Sequence, residues 1–405
     1  MIKPKFLKIV LLACCLIFPA VSQAAPNMDK AQLAKALAGS VEQLVEAPSI
    51  VVKTPAGPIL VESTLWPQLQ RQAENLLIKS KSVRASLVLM DAQTGQIMVM
   101  AGSKGNKVNS AVALDADPPA ASLFKIVTAA AAVEETSLHP NSPLTFVGRP
   151  HTLYESQIKA ANHPQGTQVS LQQSFAASNN PVFAKLGIHL IGRDLLAWYG
   201  KALGFESKLP FELPLGVSAL CPAPNNFAVG EMASGFNRET TISPVHAAML
   251  GSVFINGGRL MEPYVVSQVS SNQGDILYRG GPRSLGRIVS TKTANQMQSM
   301  FLATVKEGTA RSYFRQISSD PYLKNVIIGG KTGTISRSWR NENYEWFVGF
   351  AKDTRTGRTY AIAALVVHGK LRGQSAKELA RLLLHEAYSE KAPTQMVYKP
   401  SQPNL

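Results

Sequence analysis

The chain has 405 residues, 45% hydrophobic and 17% charged, with Gly and Pro spread along it; this is material for one large domain or two ordinary ones and excludes a low-complexity chain. Its formal net charge of +15 suits anionic surfaces such as lipid headgroups or acidic glycans. Nucleic acid is the other common partner of such a charge, but the sequence has no helix-turn-helix pattern, aromatic-basic stacking motif or Cys/His finger, so no nucleic-acid binding is expected.

Residues 1–24 read as a secretory signal peptide. Lys3, Lys5 and Lys8 precede the apolar stretch Ile9 to Phe18, and Ser22-Gln23-Ala24 offers a small-residue cleavage site after Ala24. The stretch is shorter than the ~20 apolar residues that span a bilayer; an uncleaved anchor is the alternative reading. Cys14 and Cys15 leave with this segment, so Cys221 is the single thiol of the mature chain and forms no internal disulfide. The seven histidines show no metal-ligand spacing on one helix, and a lone cysteine builds no zinc cluster, so neither metal nor cofactor is expected.

Residues 25–60 form a short N-terminal segment, with a helix expected over 28–47 (Leu33, Leu37, Val41, Leu44 and Val45 on one face) and a hairpin over 49–61. A second helix runs from Thr64 to about Lys79. Strands follow at 86–90 and 96–100, joined by a turn over Asp91 to Gly95. After Pro118-Pro119 comes an alanine-rich helix over 121–135, then helices near 170–175, 182–191, 193–203, 244–255 and 291–307. Strands return at 326–328, 346–351 and 360–367, and a last helix covers 374–388. Strands at both ends of the chain with helices between them indicate an α/β fold, a five-stranded antiparallel sheet flanked by helices with an inserted all-helical subdomain. The main domain spans 61–390, and 391–405 is read as a loose tail.

Three short motifs carry chemistry. In Ser122-Leu-Phe-Lys125 the hydroxyl and the amine are three residues apart, on one face of a helix. At a helix N-terminus, free N–H groups suit an oxyanion, and a buried lysine near other cations becomes a neutral base. Ser178-Asn179-Asn180 puts a hydroxyl and an amide two residues apart, which suits a proton relay beside a substrate hydrogen bond. Lys331-Thr332-Gly333-Thr334 follows an apolar strand, where a glycine admits close backbone approach and the cation and hydroxyls suit a carboxylate. Each alone has an ordinary structural explanation: a chance spacing, a helix cap, an edge strand. Together and in this order they are specific.

The three motifs identify the chain as resembling the transpeptidase domain of penicillin-binding proteins. The resemblance extends over about residues 60–390: the Leu65 to Leu76 helix, the Leu87 to Met100 hairpin, the Gly166 to Gly187 helix pair, Gly230, Thr241 to Pro263 with Asn256-Gly257-Gly258, and Glu307-Gly308-Thr309-Ala310. It implies that Ser122 attacks the carbonyl of a D-Ala-D-Ala stem peptide of peptidoglycan and that Lys125 takes its proton. Ser178, with Lys331 nearby, would pass a proton to the leaving amine. Asn180 would hold the peptide and Lys125, Thr332 and Thr334 beside Gly333 the substrate carboxylate. The backbone N–H groups of Ser122 and Thr334 would form the oxyanion hole. It further implies an exported enzyme, β-lactams as covalent inhibitors, a glycan polymerase as partner, and peripheral contact with membrane or cell wall. Residues 25–60 are too short for a glycosyltransferase domain. The alternatives on the same fold are a D,D-carboxypeptidase or serine β-lactamase, and a non-catalytic β-lactam-binding scaffold. Asn180, where class D β-lactamases usually carry valine, favours the transpeptidase.

Overall fold

The computed structural model describes residues 28–159 and 165–389; the signal-peptide and tail readings, 1–24 and 391–405, lie outside them. The expected helix over 28–47 is two, Lys30–Leu37 and Val41–Glu46, interrupted at Gly39-Ser40. Glycine is a poor helix former and serine favours the start of a new helix, so the break falls at this pair. The five apolar residues picked from the periodicity are all buried.

The strands, in chain order, are as follows. β1 (Ser49–Thr54) and β2 (Gly57–Ser63) form the N-terminal hairpin. β3 (Arg84–Asp91), β4 (Ile97–Lys104) and β5 (Lys107–Val108) follow. β6 (Pro143–Phe146) and β7 (Thr167–Ser170) pair within the helical part. β8 (Arg259–Met261), β9 (Val266–Ser271), β10 (Ile276–Arg279) and β11 (Ser284–Arg287) precede the helix Thr291–Lys306. β12 (Val326–Arg337), β13 (Glu342–Asp353) and β14 (Thr359–His368) come last.

The main sheet has the order β12-β13-β14-β3-β4-β5 and is antiparallel throughout. It therefore has six strands rather than the expected five. The sixth is the two-residue β5, which folds back through Gly105 at φ +60°, a conformation glycine adopts without steric cost. Both faces of the sheet are covered. Leu87, Leu89, Ile362 and Ala364 pack on one side with the helices Pro67–Lys79 and Ala376–Ser389. Val88, Met90, Ala361 and Ala363 pack on the other, with the helices Phe124–Glu135, Pro244–Ile255 and Thr291–Lys306. A strand buried on both faces needs no polar alternation, which is why β14 reads as an unbroken apolar run and is buried along its whole length.

β2 has a second partner that local pattern did not reveal. It pairs antiparallel with β9, and the hairpin becomes half of a four-stranded sheet β1-β2-β9-β10. Lys30 locks this corner through ion pairs with Glu212 at 3.0 Å and Glu262 at 2.8 Å.

Candidate active site

Ser122 lies in a short 3₁₀ turn, Ala121–Leu123, that runs directly into the helix Phe124–Glu135, where a helix starting at 121 was expected. The turn is held from behind. The Ala120 N–H donates to the Thr240 carbonyl, and the Ile242 N–H to that of Pro118. Ala121 has φ +50°, an unusual conformation for a residue with a Cβ, and it sits immediately before the nucleophile candidate.

Gly235 explains the close packing there. It ends the helix Asn226–Ser234 in the left-handed region, at φ +65°, and a Cβ at this position would lie 1.9 Å from the Ala121 carbonyl oxygen and 3.1 Å from the Ser122 nitrogen. Gly235→Ala must therefore displace the Ala121-Ser122 peptide. We expect it to lower the rate of penicillin acylation at least ~10-fold and to cost about 2–5 kcal/mol of stability, the sum of a left-handed alanine and an overpacked contact. Stopped-flow acylation and thermal melting measure both; wild-type values in each would refute the assignment.

One turn after Ser122, Lys125 is fully buried. Its Nζ lies 2.8 Å from Ser122 Oγ, 2.7 Å from Asn180 Oδ1 and 2.6 Å from the Ser234 carbonyl oxygen. Burial first, and the Lys331 charge second, hold its pKa well below the ordinary lysine value. In the neutral form its two N–H bonds serve Asn180 and Ser234, and the lone pair faces the Ser122 hydroxyl.

Ser178 joins the helices Leu171–Ala176 and Asn180–Leu186 with φ +58°. Asn179 caps the second helix, its Oδ1 accepting the Val182 N–H at 3.0 Å, and this fixes Asn180 as the first helical residue. The buried Lys331 reaches across from β12 and donates to Ser178 Oγ at 2.9 Å and to the Thr332 carbonyl at 2.8 Å. Burial lowers its pKa to about 7.

β12 is an edge strand, paired only with β13, and its open edge faces the serine turn. A Cβ on Gly333 would lie 3.5 Å from the Ser122 nitrogen, so no side chain stands between strand and serine. Thr334 is exposed on this strand; Thr332 is buried, 2.5 Å from Thr309 by their hydroxyl oxygens. Thr309 also bonds the Ala176 carbonyl through its N–H, tying the segment before Ser178 to β12.

The structure thus brings together two hydrogen-bonded sets, Ser122–Lys125–Asn180 and Ser178–Lys331, beside Thr332, Gly333 and Thr334. Sequence reasoning missed three contributors. The Ser234 carbonyl and Gly235 had only a helix-stop glycine as their signal. His151 had none. Its pKa is lowered by burial first and then by the charge of Lys125. Among the described residues, no group of three or more His, Cys, Asp or Glu side chains is placed to hold a metal ion.

A family model described as penicillin binding protein transpeptidase domain matches residues 85–385. The peptidoglycan D,D-transpeptidase PbpA of Mycolicibacterium smegmatis is 27% identical over 347 residues, covering 76% of this chain and 67% of that protein. Stage V sporulation protein D of Bacillus subtilis is 25% identical over 317 residues, covering 72% of this chain and 47% of its own length. The chain therefore spans between about half and two thirds of these relatives. Among solved structures, PBPA from Mycobacterium tuberculosis superposes with a TM-score of 0.66 at 22% identity, over 82% of this chain and 80% of that one. The same protein as its imipenem acyl-enzyme complex gives the same TM-score, 0.66, and identity, 22%, over 82% of this chain and 80% of that chain, a likeness of fold.

Proposed function

Because the chain belongs to the penicillin-binding protein transpeptidase domain family, we propose that it is an exported serine D,D-transpeptidase that joins peptidoglycan stem peptides ending in D-Ala-D-Ala. The observation that carries this reading is the pair of buried lysines, each hydrogen-bonded to a different serine hydroxyl in one groove. Lys125, as the neutral amine, takes the Ser122 proton while Oγ attacks the penultimate D-alanine carbonyl. The negative oxygen of the tetrahedral intermediate is received by the Ser122 and Thr334 N–H groups, each such donor being worth ~10²–10³ in rate. Collapse breaks the peptide C–N bond, and Ser178, supported by Lys331, delivers a proton to the departing D-alanine amine. Asn180 holds Lys125 and the donor peptide; Thr332 and Thr334, across Gly333, hold the terminal carboxylate. An amine of a second stem peptide then displaces Ser122, forming the cross-link. A β-lactam opens on Ser122 by the same attack and remains attached as the acyl group.

In this reading residues 1–24 direct export and are removed, 25–60 dock on the catalytic residues 61–390, and 391–405 form a tail. The enzyme works outside the cytoplasmic membrane, beside a glycan polymerase, with its net positive charge favouring peripheral contact with anionic membrane or wall. Among the described residues no helix is long and apolar enough to cross a membrane. The test is mass spectrometry of uncross-linked cell-wall fragments after incubation with the protein. Dimers that have lost one D-alanine are expected. Trimmed monomers alone would make it a carboxypeptidase, and unaltered fragments would overturn the reading.

A further inference from the structure

Ser122 and Thr334 stand on two separate elements, the serine turn and β12. Among the described residues, every hydrogen bond between β12 itself and residues 117–122 comes from one side chain, the guanidinium of Arg337. Its Nη1 lies 3.1 Å from each Asp117 carboxylate oxygen, and its Nη2 donates to the Asp117 carbonyl at 3.0 Å. Elsewhere strand and turn meet by contact alone: a Cβ on Gly333 would lie 3.4 Å from the Ala120 carbonyl oxygen and 3.5 Å from the Ser122 nitrogen.

Both partners of this bridge are themselves held. Arg337 is buried; its guanidinium lies 5.2 Å from the centre of the Tyr344 ring, and its Nη1 reaches the Tyr344 hydroxyl at 3.3 Å. Asp117 receives Arg84 of β3 at 3.2 Å, and its N–H donates to Asp115, which Arg84 also holds, at 2.9 Å. Two residues on, the Pro119 carbonyl accepts the Trp346 indole N–H at 2.9 Å. The bridge borders a cavity of about 460 Å³ that it shares with Glu231, Arg238, Trp339 and Arg340, and the Asp117 side chain is 40% exposed. An ion pair open to water contributes little net stability. What two guanidinium nitrogens on one residue supply is a fixed distance and direction.

Resting on the transpeptidase reading, we propose that Arg337 and Asp117 are positioning residues that set the spacing between the Ser122 and Thr334 N–H groups, and with it the strength of the oxyanion hole. An oxyanion has to lie about 2.7–3.1 Å from both donors. A misplacement of ~1 Å costs about 10²-fold in rate. Arg337 lies four strand residues beyond Gly333, roughly 13 Å at ~3.3 Å each, so it acts on the strand and not on the reacting atoms. At the inner end of the same strand, Lys331 is bonded to Ser178. Thr334 lies between these two attachments. A strand edge attached at one point can pivot there; attached at both, it holds the Thr334 N–H at one distance from the serine turn.

The test is benzylpenicillin acylation of Arg337→Lys and Asp117→Asn, followed by stopped flow over a range of drug concentrations so that the rate constant at saturation separates from Kd. Asp117→Asn keeps the side-chain volume, so the test stands even where Arg337→Lys does not fold. In each variant the saturating rate is expected to fall at least ~10-fold with Kd unchanged. The ester carbonyl band of the acyl-enzyme should move to higher wavenumber in the infrared, because a carbonyl that loses hydrogen bonds regains double-bond character. The double variant should be no slower than the slower single one, since both changes break one bridge. Arg340→Ala removes a cation 3.8 Å from the same carboxylate and leaves the bridge, so its rate and band should match the wild type. A lower melting temperature with an unchanged saturating rate and band would make the pair a fold contact and overturn the proposal. So would a loss confined to Kd, or losses that multiply in the double variant. Failure of benzylpenicillin to acylate the wild type would instead overturn the Ser122 reading itself, and the bridge's role with it.

Discussion

Ser122→Ala is expected to leave no covalent adduct with a fluorescent penicillin, by gel fluorescence and by intact-protein mass. The reasons are geometric. Ser122 is the hydroxyl that faces the Lys125 amine at 2.8 Å and lies beside the open edge of β12. Ser178 does not replace it, because it is buried against Lys331, whereas Ser122 is the half-buried hydroxyl whose backbone lies beside Gly333. The substitution removes one hydrogen bond at a half-buried position, worth about 1 kcal/mol, so the protein should still fold and melt cooperatively. A labelled Ser122→Ala protein would mean that another residue is the nucleophile.

Lys125→Ala is expected to slow acylation by about 10³-fold or more while penicillin still binds, because it removes the base but leaves the nucleophile. Lys125→Met, which fills the volume, separates loss of the base from loss of packing, and should be as slow. An acylation rate within tenfold of wild type in either variant would remove Lys125 from the mechanism. The pH behaviour follows from the sign of the shift. The reactive form of Lys125 is the neutral amine, so wild-type acylation rises as pH is raised through its depressed pKa and falls in acid. Stability carries the same sign. Lys331 titrates near 7 when folded and near 10.4 when unfolded, so between these values the unfolded chain binds the extra proton. The two buried lysines thus make stability rise with pH across that window, and the contribution levels off above it. A series of melting temperatures from pH 7 to pH 10 in Lys331→Met should show a smaller rise, having lost the Lys331 share and kept that of Lys125.

Much of the fold was legible because its strands and helices have strong local patterns. The strand seeds 86–90, 326–328, 346–351 and 360–367 fall inside strands of the main sheet, and 96–100 overlaps β4 in all but Gln96. Each stops short of at least one observed strand end, since polar ends such as Lys331 to Arg337 carry little apolar signal and are held in β12 by pairing with β13. The strands β8 to β11 were not read at all. They are short, and β9 is a strand because β2, some two hundred positions earlier, lies against it.

The candidate site divides along the same line. The sequence by itself determined that Ser122 and Lys125 share a helical face, since a three-residue offset is a local property of helix geometry. It also determined the order of the three motifs and that the last of them follows an apolar strand. Only the tertiary structure decided that Lys331 serves Ser178 across 153 positions, that Asn180 and the Ser234 carbonyl hold Lys125, and that charged and aromatic side chains from separate segments enclose one cavity. The physical reason is that amine acidity and cavity shape depend on which distant segments exclude water together. That exclusion belongs to the packed whole and leaves no trace in the spacing of neighbours along the chain.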